Sequence, residues 1–128
     1  MKILIQMNRN LINLCLFYVS LMSPLVFSVE KDINIAWCAS IGGEDEFRTK
    51  DGTYVDCLTD EYAIEAEYDY KWKEAIGQSL HYAESTNKKA GILFIKRKES
   101  KKDYFNEMLR VIENYQLPIK IFVIEEES

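Results

Sequence analysis

The sequence predicts an α/β fold, a sandwich of helices around a central mixed β-sheet. Three observations carry this prediction. Strand-length apolar runs alternate with two stretches of helical period, in the order strand, strand, strand, helix, strand, helix, strand. Asp51-Gly52 stands between the first two strand-like runs and signals a hairpin. Residues 91–95, Gly-Ile-Leu-Phe-Ile, form the continuous apolar run of a strand buried on both faces.

Residues 1–28 read as a secretory signal peptide. Lys2 and Arg9 are their only charges and lie early; an apolar run follows from Leu11 to Leu25, and Ser28 offers a small residue at the cleavage point. The uninterrupted apolar stretch is shorter than the ~20 residues that cross a bilayer, so no stable membrane span is expected after cleavage. The expected destination is the periplasm or the medium, with residues 29–128 as one domain. Lys+Arg total 16 and Asp+Glu 21, a net charge of −5 that becomes −7 without Lys2 and Arg9. An apolar fraction of 48% beside 29% charged residues excludes a disordered chain. The acidic balance excludes a simple electrostatic coat for nucleic acid. It leaves room for an enzyme that gathers carboxylates around a metal.

The elements of the domain follow in order. Residues 33–39 are a short apolar run, either a strand or a helical turn, and Gly42-Gly43 break it. Residues 46–50 and 53–58 form the expected hairpin. Residues 63–68 alternate Ile64, Ala66 and Tyr68 with Glu65 and Glu67, a period-two strand with one apolar and one acidic face. Asp69 is the expected cap of a helix over residues 70–84. The strand at 91–95 follows, then a helix over 103–115 with Phe105, Met108, Leu109 and Ile112 on one side. Pro118 separates it from a last strand at 119–124. Cys38 and Cys57 remain after signal removal, as a disulfide or as two small buried thiols. A disulfide would close a loop of roughly 20 residues and add about 3 kcal/mol.

The candidate chemistry sits around the third strand. Side chains at i and i+2 of a strand project the same way, so Glu65 and Glu67 share a patch, with Asp56 on the preceding strand. Like charges held together are costly unless a cation sits between them. Oxygen ligands of this kind suit Mg²⁺ or Mn²⁺. The plainer alternative is a solvated strand face. On the next helix Gln78 and Tyr82 fall within about 20° of Lys71, a polar ridge beside the expected core stripe of Trp72, Ile76, Leu80 and Ala83. Lys71 in a first turn opposes the helix dipole, so local stability does not explain it. Lys88, Lys89, Lys96, Arg97, Lys98, Lys101 and Lys102 make a basic stretch, either phosphate contacts or ordinary solvated loops. His81 is expected to be exposed. No Gly-rich phosphate loop and no zinc spacing is present.

Asp56, then Glu65, then Gln78-Ser79-Leu80-His81-Tyr82 resembles the PD-(D/E)XK nuclease superfamily, the Q-x-x-x-Y helix being similar to its RecB-like branch. The run from Trp37-Cys38 through Gly42-Gly43, Asp51-Gly52, residues 55–59, Ala63-Ile64-Glu65, Lys71-Trp72 and residues 74–78 is similar to small bacterial members of that superfamily. The resemblance implies a restriction-endonuclease-like three-layer sandwich and phosphodiester hydrolysis of nucleic acid with Mg²⁺ or Mn²⁺. It implies Asp56 and Glu65 as metal ligands, with Gln78 and Tyr82 in support; Glu67, on the same strand face as Glu65, is the third candidate ligand. Glu46 matches an upstream carboxylate of the family, although the simplest hairpin register points Glu46 and Asp56 to opposite faces. The superfamily pattern has Lys two residues after the strand carboxylate. This sequence has Glu67 there, and Lys71 is the natural substitute. Without that substitution the fold would serve as a non-catalytic binding or structural protein.

Overall fold

The computed structural model describes residues 29–127; the expected signal peptide, 1–28, lies outside them. Of the described residues, 33–127 belong to one compact unit. Its sheet has five strands in the order β1-β2-β3-β4-β5. These are β1 (Glu44–Arg48), β2 (Tyr54–Leu58), β3 (Tyr62–Tyr68), β4 (Lys89–Lys96) and β5 (Ile119–Glu125). β1, β2 and β3 pair antiparallel, and β3, β4 and β5 pair parallel, so the sheet is mixed as expected.

Helices cover both faces. Residues 29–40 are helical (α1), which settles the ambiguity of the 33–39 run in favour of helix. Ile33, Trp37 and Cys38 of α1 pack on Ile64, Ala66, Tyr68, Leu93 and Ile95. On the other face α2 (Trp72–Thr86) and α3 (Tyr104–Asn114) cover Ile92 and Phe94 with Trp72, Ala75, Met108 and Ile112. β4 is therefore buried on both faces from Ala90 to Ile95, as its unbroken apolar run requires. Cys38 and Cys57 are joined by a disulfide that ties α1 to β2. Gly43 packs so closely that an added Cβ would lie 2.5 Å from Cys57 Sγ and 2.7 Å from Cys38 Sγ. Only glycine fits beside that bridge.

Three local expectations need correction. The hairpin turn holds three residues, not two. Thr49 N–H donates to Thr53 O at 2.8 Å and Gly52 N–H to Thr49 O at 3.1 Å, with Gly52 at φ 88°. This is a tight turn followed by a left-handed glycine. The extra residue moves the register by one and sets Phe47 against Val55 and Asp45 against Cys57. Asp69 does not cap α2. It lies in a 3-10 turn (Asp69–Lys71), and Lys71 takes the N-cap position without a side-chain hydrogen bond. Finally, the buried stripe of α2 is Trp72, Ala75, Ser79 and Tyr82; Ile76, Leu80 and Ala83 flank it half-buried. Asn87, at φ 54°, ends α2 in place of the expected Lys88–Gly91 segment, whose last three residues enter β4.

Candidate functional site

Both faces of β3 are covered. Alternation sends Ile64, Ala66 and Tyr68 toward α1 and leaves Glu65 and Glu67 on the α2 side. They are 4% and 6% exposed. The acidic face is thus roofed by a helix and is no solvated strand surface. Two carboxylates in such a place must be compensated.

Asp56 comes in from β2. Ladder pairing of β2 with β3 runs through Cys57↔Ile64 and Leu58↔Ala63. Just beyond it, Asp56 Oδ2 accepts the Ala66 N–H at 2.8 Å, so the carboxylate stands in for a backbone partner. From the opposite face, Asn34 Nδ2 of α1 donates to the Asp56 carbonyl at 2.8 Å. The Glu65 carboxyl faces the Asp56 side chain. Burial pushes the Asp56 carboxyl above its ordinary value, and the charges of Glu67 and Glu46 push the same way; the Ala66 N–H and Glu65 oppose the shift.

Glu46 reaches this cluster because of the corrected register. The pairs on either side of it place Glu46 opposite Asp56 rather than on the other face. The ladder skips this pair, and Glu46 adopts a left-handed φ of 50°. Its side chain is exposed, at the rim of the site.

Lys71 enters from the start of α2. Its Nζ lies 3.3 Å from Glu67 Oε1. The ammonium thus meets the strand at the residue that takes the place of the expected lysine. Further along α2, Tyr82 Oη donates to Gln78 Oε1 at 3.4 Å. The Tyr82 phenol is pushed up to about 12 by burial first, then by the charges of Glu65, Asp56 and Asp51. Asp56, Glu65, Glu67, Lys71 and Tyr82 therefore occupy one neighbourhood, with Gln78 attached through Tyr82.

Other candidates lie elsewhere. His81 is exposed and contacts Asp51 Oδ2 at 2.9 Å. Much of the basic stretch is engaged in surface contacts: Lys89 with Glu61 at 2.7 Å, Lys96 with Glu125 at 3.0 Å, and Lys102 with Glu107 at 3.1 Å. Lys88 Nζ donates to Asp60 O at 2.6 Å. Two features escaped sequence reasoning. One is Asn34. The other is Asp69, 1% exposed, whose Oδ1 is held by Arg97 Nε at 2.7 Å. Nothing in local spacing links residues that far apart.

The donor set of Asp56, Glu65 and Glu67 is hard oxygen, which Mg²⁺ and Mn²⁺ prefer. Among the described residues, no group of three or more His, Cys, Asp or Glu side chains already stands as a ligand cage. The Ala66 N–H at Asp56 and the Lys71 ammonium at Glu67 supply compensation on this face. A cation would take over the same compensating role.

One stability prediction follows from Asp56. Its folded pKa is raised, so its ionised form costs stability above that value. Below the unfolded value of about 3.9 both states are protonated and the cost disappears. Asp56→Asn is expected to melt higher than the parent in EDTA at neutral pH, with the gap closing toward about pH 4. A gap that is independent of pH would mean that the carboxylate is not strained by its neighbours.

No family model and no solved structure matches the chain. It is similar to KilA-N domain-containing proteins of Acanthamoeba polyphaga mimivirus. One is 40% identical over 77 residues, 60% of this chain and 20% of the relative. Another is 36% identical over 80 residues, 62% and 22% of the two chains. A third is 32% identical over 93 residues, 73% of this chain and 37% of the relative. The chain thus spans between a fifth and somewhat over a third of these relatives, a likeness to part of each viral protein.

Proposed function

We propose that this domain hydrolyses phosphodiester bonds in nucleic acid, in the manner of the PD-(D/E)XK nucleases, at the Asp56–Glu65–Glu67 face. The observation that carries the reading is the Lys71–Glu67 contact at 3.3 Å. It brings a cation to the carboxylates from the neighbouring helix, although the strand itself lacks the expected lysine.

Asp56 and Glu65, with Glu67 beside them, would hold Mg²⁺ or Mn²⁺. When bound, the ion would lower the pKa of a coordinated water and neutralise phosphate charge. Lys71, positioned by Glu67, would meet negative charge that develops on the phosphate. Tyr82 stays protonated through neutral pH and holds Gln78 by its hydroxyl. The Ala66 N–H and Asn34 fix Asp56 from two sides. Access lies at the end of β3, where the Lys71 side chain is 29% exposed. Export, expected from residues 1–28, agrees with the Cys38–Cys57 disulfide, a bond of oxidising compartments.

A second reading, a non-catalytic binding or structural domain, is favoured by the lack of a ready ligand cage among the described residues. Titration calorimetry with Mg²⁺ and Mn²⁺ separates the two. Saturable binding by the parent and none by an Asp56→Asn, Glu65→Gln variant is the expected result. Absence of binding by the folded parent would leave the second reading in place.

A further inference from the structure

We infer that Tyr70, Arg97 and the loop at 98–102 form a binding track for an unpaired polynucleotide strand. The inference rests on the hydrolytic reading for what happens at the carboxylates, whereas strand binding itself needs no metal.

β3 and β4 are parallel, and Tyr68 pairs with Ile95 at their ends. The chain leaves these ends through the Asp69–Lys71 turn and through residues 97–102. The turn after β3 and the loop after β4 thus leave the sheet side by side at the carboxyl ends of two parallel strands. The track is also continuous with the carboxylates, since Lys71 lies 5.9 Å from the Tyr70 ring and 3.3 Å from Glu67.

Tyr70 and Arg97 also form a flat, fixed platform. The Tyr70 side chain is solvent-facing, with the residue 41% exposed. The Arg97 guanidinium lies 4.3 Å from its ring centroid, and the Tyr68 ring stacks against it at 6.2 Å and 18°. Asp69, buried beneath, pins Arg97 at 2.7 Å. A large aromatic and a guanidinium are thus held as one surface on which an unstacked base can lie. Bases inside a duplex are already stacked and cannot use it.

Residues 96–102 contain five basic residues and one acidic residue, on a chain of net charge −5. Glu125 takes Lys96 and Glu107 takes Lys102, while Lys98 and Lys101 stay exposed. Lys101, Lys102 and Tyr104 border a cavity of about 330 Å³ next to Asp69, room for backbone phosphate and sugar. Base stacking beside exposed lysines fits a single strand, whether DNA or RNA.

The test is fluorescence anisotropy on the full chain in EDTA. The probes are labelled oligothymidylate, oligouridylate and a duplex of equal length. Both single strands, or one of them, should bind at least about tenfold more tightly than the duplex. Tyr70→Ala should weaken strand binding about tenfold, the loss of one stacked base. Lys98→Gln with Lys101→Gln should flatten the salt dependence by roughly 1.4 in log–log slope, about 0.7 per phosphate contact. Circular dichroism confirms that these surface variants fold. Duplex binding equal to strand binding, or strand binding unmoved by all three substitutions, overturns the inference. Strand binding lost on Tyr70→Ala, with no hydrolysis in Mn²⁺, keeps the track and removes the nuclease reading. Hydrolysis whose KM ignores Tyr70 and both lysines does the reverse.

Discussion

Glu65→Gln is expected to abolish metal-dependent nuclease activity, with a rate loss of at least about a hundredfold. The substitution keeps the shape of a side chain that is 4% exposed, so the roof formed by α2 should stay in place. What it removes is one carboxylate oxygen beside Asp56 that would face the metal. Lys71→Met should cost a similar factor by a different route. It deletes the cation 3.3 Å from Glu67 while keeping the aliphatic stem. The two losses are separable by calorimetry. Glu65→Gln should lose the metal, whereas Lys71→Met should keep it. Oligonucleotide hydrolysis in Mn²⁺ is the readout, with Glu61→Gln, a surface change on the Lys89 ion pair, as the control. Full activity in both site variants would place the chemistry elsewhere.

Removing the disulfide with Cys38→Ser and Cys57→Ser is expected to lower unfolding stability by about 3 kcal/mol in urea titrations. The bridge closes a loop of 19 residues in sequence separation and sits in the apolar cluster between α1 and the sheet. Serine hydroxyls there would also need partners that an apolar cluster lacks. The consequence reaches the site. Cys57 follows Asp56, and Asn34, one turn before Cys38 on α1, donates to the Asp56 carbonyl. Loosening α1 should therefore weaken metal affinity as well as stability. A variant as stable as the parent would show that packing alone holds α1 on β2.

Much of the fold was legible because its signals are local. The Glu65/Glu67 alternation with Ile64 and Ala66 identified β3, and the run at 91–95 identified a doubly buried strand. The same local reasoning failed where a distant residue intervened. Asp69 precedes a helix, as a cap does, yet its Oδ1 accepts from the Tyr70 N–H within the 3-10 turn and from Arg97 Nε beyond the end of β4. A partner that far along the chain leaves no mark in local spacing.

The site shows the division most clearly. Sequence by itself determined which residues could matter: two carboxylates on one strand face, a third on the strand before, and Lys71, Gln78 and Tyr82 on one ridge of the next helix. These follow from periods of two and 3.6 residues, which any segment carries within itself. Only the tertiary structure decided that the acidic face is roofed rather than wet, that Lys71 reaches Glu67, and that Cys38 meets Cys57. It also decided that Glu46 lies opposite Asp56. That outcome turned on a single extra residue in the hairpin loop, because a one-residue change of register exchanges the two faces of a strand. Periodicity reports how a segment is shaped, whereas register and packing decide what it meets.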